Sequence, residues 1–161
     1  ANYAFDDCTK LANVIIADRT TGLSLGSNGS SPLFSDCPLD SVYIGGGTPT
    51  TLSAEELNEL LSFIREKFDC SSVKEFCVEA GRPDSITKEK LIALNESGID
   101  RISINPQSMN DETLKIIGRQ HSVEDIRKAF YLAREVGFST INMDVILGLP
   151  GENVEHIKIS Y

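Results

Sequence analysis

The sequence predicts an α/β fold, a parallel sheet built from repeated β/α units, and three observations carry that prediction. After residue 40, the short apolar runs "SVYIG", "KEFCVEA", "DRISIN" and "STINMDVIL" alternate with segments of helical periodicity. The helical segments open at recognisable caps, and two of them close at glycines. Unusual residues recur where the apolar runs end: a glycine triplet, a carboxylate, Asn-Pro-Gln, and an aspartate ahead of Gly-Leu-Pro.

Taken in order, "LANVIIAD" is the strand candidate of the first 40 residues, and "GLSLGSNGSSPLFSDCPLD" after it has the composition of a loop or linker. The chain therefore divides into a loop-rich N-terminal segment, 1–40, and a run of β/α units, 41–161. Behind "SVYIGGGTP", Ser53 and Glu56 have the spacing of a capping box, and Leu57, Leu60, Leu61, Ile64 and Phe68 fall on one helix face. A helix capped by Thr87 runs through Leu91 and Leu94 to Gly98, and a short one starts at Asn110. Ser122 and Asp125 repeat the capping box more weakly. Ile126, Ala129, Phe130, Ala133 and Val136 follow at helical offsets, and Gly137 is the stop.

With 161 residues, 40% apolar and 24% charged, the chain suits one globular domain with a substantial core. A formal charge of −9 repels phosphate backbones and anionic membrane surfaces, so neither nucleic acid nor membrane is an expected partner. No apolar run approaches the length of a membrane helix, and "ANYAFDDCTK" lacks the features of a signal peptide. A cytoplasmic location is expected. Cys8, Cys37, Cys70 and Cys77 are scattered without ligand spacing, so they are read as thiols, with Cys77 buried in a strand and no metal site among them.

Alternation in "EFCVEA" puts Glu75, Cys77 and Glu79 on one strand face; in "INMDVIL" it puts Asn142, Asp144 and Ile146 opposite Ile141, Met143, Val145 and Leu147. A carboxylate inside an apolar strand costs several kcal/mol, roughly, if unpaired, which points to a ligand or partner. In parallel β/α architectures, binding groups collect where strands end. Residues 45–48, Glu79, residues 105–107 and residues 144–148 occupy that rim. Each also has a plainer reading. Three glycines and Thr-Pro suit a tight strand-to-helix connection, and they match neither common nucleotide-binding glycine pattern. Glu79 can pair with Arg82 in a surface turn, Gln107 can cap the turn after Pro106, Arg119 and His121 can decorate a loop, and His156 is read as exposed. Asp144, between Met143 and Val145, is read as functional.

"YIGGGTPTTLS", "VEAGRPDSIT", "GIDRISINPQSMN", "IGRQHSVEDIRKA" and "GFSTINMDVILGLPGE" occur in an order and spacing that resemble the oxygen-independent coproporphyrinogen III oxidases, radical S-adenosylmethionine (SAM) enzymes of haem biosynthesis. "EAGRPDSIT" and "INPQSMN" look most like the coproporphyrinogen dehydrogenase branch. The resemblance covers residues 42 to 152. It implies a partial radical-SAM-type β/α (TIM-like) barrel that carries out oxidative decarboxylation of a tetrapyrrole, coproporphyrinogen III to protoporphyrinogen IX. By the same resemblance, Gly45, Gly46 and Gly47 bring backbone to the methionyl end of S-adenosylmethionine with Thr48 beside them. Glu79, Gln107, Arg119 and Asp144 then match further cofactor contacts.

The resemblance also implies a 4Fe-4S cluster on a CxxxCxxC loop and an electron donor that these residues do not identify. The 161 residues contain no CxxxCxxC. The chain is accordingly read as a fragment holding the middle units of an incomplete barrel, expected not to ligate the cluster or turn over alone, and expected, unless the missing segments are supplied, to self-associate or to be poorly soluble through uncovered sheet edges. Two other functions are weighed. A haem chaperone related to the family would share the glycine run and the "GLP" strand; an unrelated β/α-barrel enzyme would hold phosphate at the glycines, which have no Lys, Arg or His beside them.

Overall fold

The computed structural model describes residues 13–16 and 39–159. Cys8, Cys37 and most of the Gly/Ser-rich stretch before residue 40 lie outside the described residues.

Five strands form one parallel sheet whose spatial order is their chain order: β1 (Asn13–Ile16), β2 (Ser41–Ile44), β3 (Glu75–Glu79), β4 (Arg101–Ser103) and β5 (Thr140–Asn142). A doubly wound sheet reverses direction at a switch point, whereas here every crossover steps the same way. Right-handed crossovers that never reverse place all the helices on one face, which is the arc of a β/α barrel.

Local sequence accounts for the helices. In α1 (Ala54–Lys67), Ser53 Oγ accepts from the Glu56 amide at 3.2 Å, and a Glu56 carboxylate oxygen accepts from the Ser53 amide at 2.7 Å. The reciprocal box satisfies two donors that the helix start would otherwise leave bare. Leu57, Leu61 and Ile64 are buried on its inner face, each contributing about 1.5–3 kcal/mol at most, while Leu60 packs at the margin. Thr87 caps α2 (Lys88–Glu96), and Asn110 caps the short α3 (Asp111–Ile116) through the amides of Glu112 and Thr113. The box at Ser122 and Asp125 opens α4 (Val123–Val136), which ends at Gly137 with φ 119°, the left-handed conformation that favours glycine. Of the apolar residues of α4, Ile126, Ala129 and Ala133 are buried. Phe130 is only half-buried, edge-on to Tyr131 with the Arg134 guanidinium over its ring. A last helix, α5, spans Val154–Ile159.

The core lies between the sheet and α1, α2 and α4. Val42 and Ile44, Phe76 and Val78, and Ile102 and Ile104 supply the sheet side, and Leu91, Leu94, Ala129 and Phe138 the helix side. Strand alternation therefore turns the residues between them to the opposite face. That face carries the site.

Candidate functional site

Strand register builds two polar rows on the face away from the helices. Tyr43 pairs with Cys77, Cys77 with Arg101, and Arg101 with Thr140; one step toward the C-terminal edge, Glu79 pairs with Ser103 and Ser103 with Asn142. A sheet whose second face met only water would not need such side chains to satisfy each other. Here they do. Arg101 donates to Glu75 at 2.8 Å and to Asn142 Oδ1 at 3.1 Å, which raises the guanidinium's pKa further, chiefly through the bond to Glu75. Cys77, 2% exposed, is a thiol pushed up to about 11 by burial, with Arg101 opposing that shift.

Glu79 ends β3 half-buried, with three donors aimed at it. Asn105 Nδ2 reaches Oε1 at 3.1 Å, while the Gly46 amide at 3.2 Å and the Tyr43 hydroxyl at 3.4 Å reach Oε2. Burial, and then the Glu79 charge, push the Tyr43 phenol up to about 12, so it remains a donor. These partners replace the surface pairing with Arg82. They also explain the glycines. A Cβ on Gly45 would lie 2.3 Å from the Tyr43 ring and 2.8 Å from Glu79 Oε2, and Gly46 has φ 106°. Gly45 thus has no room for a side chain beside Tyr43 and Glu79, Gly46 takes a conformation that favours glycine, and Gly46 and Gly47 present exposed backbone beside the carboxylate.

The strand containing Asp144 is shorter than its alternation predicts. β5 stops at Asn142, and beyond it Val145 joins the sheet only through an isolated bridge to Gln107. Asp144 is exposed, as are Ile146 and Leu147, and Asn142 Nδ2 donates to its carboxylate at 2.7 Å. The buried-charge reasoning for the two carboxylates is corrected accordingly: one is exposed, the other is hydrogen-bonded at a strand end. Gln107 holds this irregular edge. Its amide donates to the Asp144 carbonyl at 3.1 Å, and its carbonyl accepts from the Ile146 amide at 2.8 Å. To do both it adopts φ 68°, the positive-φ non-glycine position among the described residues.

The structure thus brings Gly45, Gly46, Glu79, Gln107 and Asp144 to one edge. Thr48 heads the turn that leads to α1, its carbonyl accepting from the Thr51 amide and hydroxyl. Arg119 is half-buried after α3, its amide bonded to the Leu114 carbonyl. No hydrogen bond among the described residues joins Gly47, Thr48 or Arg119 to the Glu79 cluster. His121 is no loop decoration. It is 5% exposed and bonded to the Pro106 carbonyl, and burial lowers its pKa. His156, expected to be exposed, is half-buried on α5.

Sequence reasoning missed Tyr43, Arg101 and Ser103 as members of the site. The signal was present: Arg101, Ser103 and Asn105 alternate with isoleucines in "RISIN", the mark of a strand with one polar face. Open acceptors at Asp144 and the bare backbone of Gly46 and Gly47 suit S-adenosylmethionine, which presents an ammonium group, a ribose diol and a carboxylate. The described cysteines do not suit an iron–sulfur cluster. Among the described residues no three His, Cys, Asp or Glu side chains are grouped to hold a metal, and Cys77 lies in the protonated, buried row.

Comparison with known proteins agrees with this arc. The Radical SAM superfamily profile matches residues 34–161. The chain is 51% identical over 126 residues to the oxygen-independent coproporphyrinogen-III oxidase-like protein HemZ of Bacillus subtilis, covering 78% of this chain and 25% of that protein. It is 43% identical over 123 residues to the heme chaperone HemW of the same organism, covering 76% of this chain and 32% of HemW. The solved coproporphyrinogen III oxidase HemN from Escherichia coli, a radical SAM enzyme, superposes with TM-score 0.70 at 31% identity over 81% of this chain and 30% of HemN. The chain therefore spans about a quarter to a third of the length of these relatives. Its fold is part of a radical-SAM-type β/α barrel, and the chain belongs to the radical SAM superfamily.

Proposed function

We propose that this chain supplies the S-adenosylmethionine-binding edge of a radical SAM oxidoreductase that decarboxylates coproporphyrinogen III to protoporphyrinogen IX. The observation that carries the binding half is the convergence of Gly46, Glu79, Gln107 and Asp144 at the C-terminal edge of a parallel sheet. The likeness to HemZ and HemN supports the choice of reaction.

In this reading, the functional unit is residues 41–161, and β1 of the preceding segment extends its sheet. Gly45, Gly46 and Gly47 let main-chain groups approach the methionyl end of the cofactor, with Thr48 at the exit of the turn. Glu79, already oriented by three donors, accepts from the ammonium or the ribose, and Asp144 accepts from the ribose hydroxyls. Gln107 and Arg119 complete the contacts as donors. When bound beside a 4Fe-4S cluster, S-adenosylmethionine supplies the radical that abstracts hydrogen from substrate; the residues here bind and orient it.

Calorimetric titration with S-adenosylmethionine of the wild-type chain, Glu79→Ala and Asp144→Ala tests the binding half. Binding that vanishes in both variants is expected, and equal affinity in all three would overturn the assignment. A second reading, a haem-binding chaperone, is favoured by the 43% identity to HemW. Haem titration of a longer protein containing this chain, beside an assay for decarboxylation of coproporphyrinogen III, separates the two. Stoichiometric haem uptake without product would select the chaperone.

A further inference from the structure

The two carboxylates of the site are joined by a continuous line of side chains. Arg101 donates to Asn142 Oδ1 at 3.1 Å; Asn142 Nδ2 donates to Asp144 at 2.7 Å and to Ser103 Oγ at 3.3 Å. Ser103 Oγ then donates to Asn105 Oδ1 at 2.8 Å, and Asn105 Nδ2 donates to Glu79 at 3.1 Å. Amides and hydroxyls can usually be turned either way, but the ends of this line leave no choice. A guanidinium only donates, so Asn142 must turn its oxygen to Arg101 and its nitrogen onward. An ionised carboxylate only accepts, so Asn105 must turn its nitrogen to Glu79 and its oxygen to Ser103. The serine hydroxyl is left with one orientation.

We propose that Asn142, Ser103 and Asn105 form a one-way relay that positions Asp144 and Glu79 together, making them a paired acceptor for a ligand with an ammonium group and a vicinal diol. The ligand half of this inference rests on the S-adenosylmethionine reading; the relay stands on its own geometry. Ser103 and Asn105 are buried, 2% and 7% exposed, so water does not easily substitute for either link. Their placement follows from register, since Ser103 pairs with Glu79 on one side and Asn142 on the other. The charged or titratable groups facing the line are Tyr43 from β2, Glu75 and Cys77 from β3, and Arg101 from β4. None of the three relay residues is required to touch the ligand. They are positioning residues.

Ser103→Ala tests the relay by removing one oxygen from its middle. In nitrogen-15 spectra the side-chain amide resonances of both Asn105 and Asn142 should shift and lose protection from solvent exchange, although neither residue is altered. Unchanged resonances for both would overturn the relay. Titration with S-adenosylmethionine of Asn105→Leu, Asn142→Leu and the double variant tests the coupling of the carboxylates. Each single change should weaken binding about tenfold, as loss of one charged hydrogen bond does, and the double change by clearly less than the product. A double effect equal to the product would overturn coupled positioning. Failure of the wild-type chain to bind the cofactor would overturn the ligand half, while the amide resonances still decide the relay.

Discussion

The Gly46 amide donates to Glu79 Oε2 at 3.2 Å, tying the loop after β2 to the end of β3 across 33 positions of sequence. At the preceding residue a side chain would meet the Tyr43 ring first and then Glu79. Glycine at 45 is therefore set by Tyr43 and Glu79 together, and the loop, the phenol and the carboxylate form one structural unit.

Gly45→Ala should destabilise the chain by about 1–3 kcal/mol, the range for overpacking, because its Cβ would meet the Tyr43 ring at 2.3 Å and Glu79 at 2.8 Å. Urea unfolding measures it. Placing the same substitution in a Tyr43→Ala background should cost less, since the nearer obstruction is gone. A midpoint unmoved by Gly45→Ala would show that the loop shifts freely.

Gln107 separates fold from function. A non-glycine residue in the left-handed region carries about 1–2 kcal/mol of strain, and replacing it with glycine adds a comparable unfolded-state entropy cost. Gln107→Gly should thus leave the thermal midpoint nearly unchanged while weakening binding of S-adenosylmethionine. A large fall in stability would mean that the side chain itself holds the edge.

On the acid side, burial lowers the pKa of His121 below the ordinary histidine value of 6.5. The unfolded chain then takes up a proton first as pH falls, so the stability His121 contributes is full above pH 6.5 and is lost as pH drops through its folded value. His121→Phe should flatten stability in that range. An identical acid limb in urea titrations of wild type and variant would exclude His121 as its source.

On the alkaline side the sign reverses. Cys77 is raised from 9.0 to about 11 and Tyr43 from 10.0 to about 12, so the unfolded chain loses these protons first. Stability should fall as pH rises from 9 to 12, and Tyr43→Phe should flatten the upper part of that fall. Under native conditions at pH 8, Cys77 should resist alkylation by iodoacetamide, with full reaction in urea. Rapid native labelling of Cys77 would contradict its burial.

The sequence alone determined helices α1 to α4 and the faces of β3. Ser53 with Glu56, Thr87, Asn110, Ser122 with Asp125, and Gly137 act on backbone groups within a few residues, so their caps follow from local order. Alternation in "EFCVE" likewise placed Phe76 and Val78 in the core and Glu79 on the other face. Tertiary structure decided the rest. Beyond the early end of β5, Gln107 bonds across to Asp144 and Ile146, and His121 is buried with a bond back to Pro106, contacts between residues distant in sequence. The line from Arg101 to Glu79 links residues brought level only by parallel register. A hydrogen bond between neighbouring strands depends on which residues stand opposite each other, and that register is a property of the assembled sheet.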